Sequence, residues 1–155
     1  MQVDEITAWA TLMTNLRRKT HSRNPMMTAQ SAKELAEKYG QKEVAKRIGV
    51  SDSTIQMWAK IASLPEQFKQ YVSERKIYPW AAYRIACSFP KHDEQLEMAR
   101  EVLGWGEPEI LAVIKVKRAN PGLSIKECKN LVIKEGIRVL QGAVSRTDST
   151  QPGTP

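Results

Sequence analysis

Residues 41–60 constrain this chain more than any other stretch: Gln-Lys-Glu-Val-Ala-Lys-Arg-Ile-Gly-Val-Ser-Asp-Ser-Thr-Ile-Gln-Met-Trp-Ala-Lys. Val44, Ile48, Val50, Ile55 and Trp58 recur so that two short helices, roughly Gln41–Ile48 and Asp52–Ser63, turn apolar sides towards each other. Gly49-Val50-Ser51 separates them. Gly49 suits the left-handed conformation that a sharp three-residue turn needs, and Ala45 is small where the second helix must cross the first closely. Ser51 and Asp52 are both candidate caps, because a side-chain oxygen there accepts an orphan backbone N–H of the second helix. The expected unit is a helix-turn-helix.

The rest of the chain also reads as helix. Ile6, Trp9, Ala10, Met13 and Leu16 mark an amphipathic helix from about Asp4 to Lys19, broken by Asn24-Pro25. Thr28 is the expected N-cap of a second helix with Ala32, Leu35, Ala36 and Tyr39 inward, closed by Gly40. Pro65 opens a helix to about Glu74, with Phe68, Tyr71 and Val72 inward. Pro79 suits the first position of the next, which carries Trp80, Tyr83, Ile85 and Ala86. Leu96, Ala99, Val102 and Leu103 predict another helix. In 107–118, Val113, Ile114 and Val116 would also suit a strand, but Pro108 early and Asn120-Pro121-Gly122 late favour a helix. A last helix, Ser124 to Glu135, carries Ile125, Cys128, Leu131 and Val132. Beyond Gly142 small and polar residues dominate, which predicts a disordered tail. The expected class is all-α, a multi-helix domain built around the helix-turn-helix. Its parts are an N-terminal helix with a basic end (1–24), the core (28–90), a helical extension (91–140) and the tail (141–155).

Charge narrows the partners. Of 155 residues, 24 are Lys or Arg and 17 Asp or Glu, a net +7. Residues 1–90 hold 14 basic and 8 acidic side chains, whereas residues 91–135 hold 8 of each, so a polyanion-binding surface belongs to the first part. Its densest run is Arg17-Arg18-Lys19, readable as a solvated helix end or as a phosphate-contacting patch. Cys87 and Cys128 are far apart and no metal-ligand spacing occurs, so neither a disulfide framework nor a zinc site is expected, and no cofactor. The longest apolar run, Ile110 to Ile114, is far too short for a membrane span, and Asp4 and Glu5 stand where a signal peptide would be basic. The expected setting is cytoplasmic, on nucleoid or plasmid. No phosphate-binding loop or acid/base pair is visible, so an enzyme is not expected.

With the apolar side of the second helix inward, Ser51, Asp52, Ser53, Gln56, Met57 and Lys60 point out. That set suits a DNA major groove: Gln pairs with the N6/N7 edge of adenine, Met packs on the thymine methyl, and short hydroxyls reach phosphate or base. Thr54 near the helix start and Lys60 near its end are natural phosphate contacts, with Lys42 and Arg47 flanking from the first helix and Arg17, Arg18 and Lys19 as the further basic patch. Double-stranded DNA is the expected partner. The alternative is a helical adaptor that uses the hairpin as scaffold and offers Trp105 and the Ile110–Val116 run to a protein.

The stretch from Ala32 to Ile85 resembles the central DNA-binding domain of ParB-type plasmid and chromosome partition proteins, including KorB-like relatives. Glu43 to Ser51 is similar to the family's first helix and turn, and Ser53-Thr54-Ile55 to the start of its recognition helix. Leu64-Pro65 with Phe68, Val72 and Ile77 resembles the helix that follows, and Leu123-Ser124-Ile125-Lys126-Glu127 the start of a later one. The resemblance implies site binding in DNA partition or transcription control, a homodimer and a ParA-like ATPase partner. Asp52 stands where the family usually has Arg, Pro79 to Arg84 matches its next element only loosely, and residues 104–118 form an extra segment. The family's N-terminal nucleotide-binding domain has no counterpart here, so nucleotide-gated clamping is not expected.

Overall fold

The computed structural model describes residues 3–17 and 24–149, with side chains as far as 136 and at 138. Among the described residues there are helices and no strand, as expected. None is long and apolar enough to cross a membrane. The chain divides into two compact units, Met1–Glu107 and Pro108–Pro155.

In the first unit, α1 (Glu5–Leu12) starts at Asp4, whose carboxylate accepts the Thr7 N–H at 3.3 Å, and runs into a π-helical turn, Met13–Arg17. Its buried face differs from the expected one. Ala8 and Leu12 are buried and Trp9 and Leu16 half-buried, whereas Ile6 is 80 % exposed and Ala10 and Met13 lie outward. Polar contacts fix the rotation: Glu5 pairs with Lys38 and accepts from the Tyr39 hydroxyl, and Asn15 donates to the Thr28 hydroxyl at 2.8 Å. Residues 5, 8, 12 and 15 therefore form the inward stripe.

The second helix, α2 (Pro25–Tyr39), is the hub, packing against α1, α3, α4 and α5. Asn24 caps it, accepting from Met26 at 3.1 Å and Met27 at 3.3 Å, and Pro25 fills the first position, where no N–H is needed. Thr28 is thus not the expected cap but a buried residue one turn inside. Gly40 (φ 87°) joins α2 to α3 (Gln41–Ile48); α4 (Asp52–Ile61) packs on α2, α3 and α6.

Beyond Pro65, α5 (Glu66–Ser73) buries Phe68 and Val72, with Tyr71 half-buried. It ends on Arg75 in a left-handed conformation (φ 61°), and the Lys76 N–H returns to the Tyr71 carbonyl at 2.9 Å. Pro79 opens α6 (Pro79–Ser88), which buries Ala81, Ala82, Ile85 and Ala86 but leaves Trp80 39 % exposed and Tyr83 half-buried. The small alanines let α6 approach α4, and the large rings turn outward. In α7 (His92–Glu101) Met98 and Ala99 are buried with Val102 beyond the helix end, and Gln95 takes the inward place expected of Leu96 because its amide donates to the Phe89 carbonyl at 2.7 Å. This unit continues past residue 90, where the sequence reading ends the core.

In the second unit, α8 (Glu107–Ala119) is a helix, and Ile110, Val113 and Ile114 are buried. Ser124 and Glu127 form a reciprocal capping box at the start of α9 (Ile125–Ser149), with N–H···O distances of 2.9 and 3.1 Å. Ile125 and Cys128 are buried, whereas Leu131 is 44 % exposed and Val132 half-buried. The helical backbone runs beyond Glu135 and Gly142 to Ser149, where the sequence reading ends order at 141. A glycine inside a helix costs about 1 kcal/mol relative to alanine without forbidding the conformation. Residues 150–155 of the expected tail lie outside the described residues.

Candidate nucleic-acid interface

The turn between α3 and α4 forms as its residues dictate. Gly49 has φ 85° and ψ 35°, the left-handed region, and its N–H and that of Val50 both reach the Ala45 carbonyl, at 2.8 and 3.0 Å. A Cβ on Gly49 would meet no atom within 4 Å, so the glycine is there for its backbone alone. Val44, Ala45, Ile48, Ile55 and Trp58 are buried and Val50 half-buried, which fixes the crossing of the two helices. Ser51 caps α4, accepting the Thr54 N–H at 3.3 Å. Asp52 is therefore the first helical residue and not a cap; its charge lies beside the positive end of the helix dipole.

Five of the outward residues, Ser51, Asp52, Ser53, Gln56 and Lys60, are exposed on one side of α4. Met57 and Thr54 are half-buried at its margins. Ser51 also shares hydrogen bonds with the Ser53 hydroxyl at 3.0 Å and the Thr54 hydroxyl at 2.8 Å. The hydroxyls thus cluster at the N-terminal end of the helix, with amide, thioether and ammonium following along it.

The basic flank is less uniform than the sequence suggests. Lys42 and Arg17 are exposed. Arg18 and Lys19 lie outside the described residues. Arg47 is engaged: its Nε donates to Glu43 at 2.9 Å, and its guanidinium carbon lies 4.7 Å from the Tyr39 ring centre and 5.3 Å from that of Trp9. The two rings meet at 5.7 Å. Beside them the Lys38 ammonium foremost, then the Tyr39 hydroxyl, hold the Glu5 carboxyl down at about 2. The sequence places Trp9 and Tyr39 only on the apolar sides of their helices. The available signal was that both rings are amphipathic and lie near an arginine once α1 is folded back on α2.

The interface so described is a helix-turn-helix whose second helix presents a polar, partly basic side. A search of curated proteins finds no match. The family model of the ParB HTH domain matches residues 21–107, more than half of the chain, and spans α2 to α7. With the turn, the cap and the exposed side of α4 where a DNA-reading helix-turn-helix needs them, the chain belongs to the ParB HTH domain family.

Proposed function

We propose that this chain is a sequence-specific double-stranded DNA-binding protein that acts at a centromere-like site in plasmid or chromosome partition, or at an operator in transcription control. The observation that carries the reading is the exposed side of α4, where Ser53, Gln56 and Lys60 stand clear of the core on a helix fixed by five buried apolar residues. Gln56 and Met57 supply base contacts biased to A·T pairs, since α4 carries no arginine for the guanine edge. Ser51, Ser53, Thr54, Lys60 and Lys42 hold the backbone, with the basic end of the N-terminal helix. A homodimer reading half-sites about one helical turn apart follows from the way such modules read palindromes. A ParA-like ATPase is the partner a partition role requires, and nucleoid or plasmid the place. No catalysis is assigned to the chain.

Selection of bound duplexes from a random pool tests this. Enrichment of a palindromic, A·T-biased site, with affinity that falls steeply with salt, is the expected result. Binding with no sequence preference at any salt concentration overturns it. Of the surface the adaptor reading would offer, Ile110, Val113 and Ile114 are buried, whereas Leu111 is exposed and Trp105 and Val116 are half-buried.

A further inference from the structure

The matched family domain begins at residue 21, yet α1 lies before it and is bound to it by specific chemistry. Ala8 and Leu12 are fully buried, α1 packs along α2, and the π-helical turn Met13–Arg17 touches α3, the first helix of the helix-turn-helix. Two polar fastenings set the rotation of α1: the Glu5–Lys38–Tyr39 group at one end and Asn15 on Thr28 at the other. Between them Arg47 of α3 lies over the faces of both Trp9 and Tyr39, with its Nε committed to Glu43. Of the arginines and lysines assigned to the interface, Arg47, though exposed, is thus stacked and ion-paired, and Arg17, at the end of the turn, is exposed as well.

We propose that α1 is a working part of the DNA-binding surface, with Arg47 as a positioning residue whose stack on Trp9 and Tyr39 holds the turn Met13–Arg17 against α3, so that Arg17 contacts a phosphate beside the groove read by α4. The proposal rests on the DNA-binding reading above. Three physical points support it. A guanidinium over two aromatic rings is directional in a way an ammonium is not, so Arg47 defines where Trp9 sits. Its pairing with Glu43 offsets its charge locally, which makes Arg47 the weaker candidate for phosphate. A π-helical turn interrupts regular α-helix at some local cost and is frequent at functional sites; here it lies against α3 and ends on the exposed Arg17.

The experiment is the salt dependence of affinity for a selected duplex, run on the full chain at a temperature where circular dichroism shows every variant folded. Arg17→Ala should make the slope of log K against log salt shallower by about one unit. Trp9→Ala removes no charge, yet should reproduce that change, and combining it with Arg17→Ala should add nothing. Trp9→Phe keeps an aromatic face and should restore the wild-type slope. Arg47→Lys keeps the charge but loses the planar stack, and should behave as Trp9→Ala. A wild-type slope in Trp9→Ala overturns the proposal. So does full affinity and slope in Arg47→Lys beside a one-unit loss in Arg47→Ala, which would make Arg47 itself the phosphate contact. Absence of salt-dependent binding by the wild-type chain is a different failure, and overturns the DNA-binding reading on which the proposal rests.

Discussion

The Ser51 hydroxyl oxygen accepts the backbone N–H of Thr54 at 3.3 Å, so the helix that faces solvent with Gln56 and Lys60 is capped by one residue and begins, with Asp52, on the next. Ser51→Ala removes that cap and should cost about 0.5–2 kcal/mol of stability, read from urea unfolding at unchanged m-value. Asp52→Arg leaves the cap in place. It replaces a favourable first-turn acid by a base, costing about 0.3–1 kcal/mol of stability, and it should strengthen binding to unrelated duplexes. Should Ser51→Ala cost nothing while Asp52→Ala costs about 0.5–2 kcal/mol, the aspartate and not the serine is the cap.

Gln56 and Lys60 should separate base reading from backbone holding. Gln56→Ala should cost about 1–3 kcal/mol on the preferred site and relax selection at one position. Lys60→Ala should weaken all sequences alike and flatten the salt slope by about one unit. Titration of cognate and scrambled duplexes at several salt concentrations distinguishes them. If both variants bind as wild type, α4 does not enter the groove.

Gly49→Ala isolates a backbone effect. The added Cβ meets no neighbour within 4 Å, so the only penalty is the left-handed conformation, about 1–2 kcal/mol. Thermal unfolding should show a lower Tm with the helical spectrum kept. No change in Tm would mean that the turn relaxes to another shape.

Acid should loosen the seat of α1. The Lys38 and Tyr39 hydrogen bonds depress the Glu5 carboxyl from its ordinary 4.5 to about 2. A group whose folded value lies below its unfolded one contributes stability that is present above the unfolded value and lost as pH falls towards the folded one. Wild-type Tm should therefore drop between pH 4.5 and 2 by more than that of Glu5→Gln, which has no such carboxylate to protonate. Parallel Tm curves for the two proteins over that range would refute the assignment.

The legible parts of the fold were those set by short-range rules. Gly49, Ala45 and the apolar positions around them constrain one another within some fifteen residues, and Pro79 needs only its own ring to start a helix. What escaped depends on residues far apart in the chain. Thr28 has the chemistry of a cap, but Asn24 with Pro25 starts the helix earlier and Asn15 takes the Thr28 hydroxyl. The apolar stripe of α1 through Ile6 and Met13 lost to an inward stripe on which Ala8 and Leu12 are fully buried, with Glu5 bonded to Lys38 and Tyr39 and Asn15 bonded to Thr28 at its two ends. In the candidate interface, the exposure of Ser53, Gln56 and Lys60 followed from helical period alone. The engagement of Arg47 did not, since its ring partners are eight and thirty-eight residues away.

The seating of Trp9 and Tyr39 together beneath Arg47 bears on modularity. A chimaera assembled by transplanting residues 21–107 would carry the reading helix into its new host but leave Trp9 behind. The graft would then expose the side of Tyr39 that the indole covered, and α2 would lose the packing of α1, whose Ala8 and Leu12 are buried. The unit that keeps its aromatic stack and the seat of α1 therefore reaches back to Val3, whose N–H is held by the Glu34 carboxylate, and not only to where the family match begins.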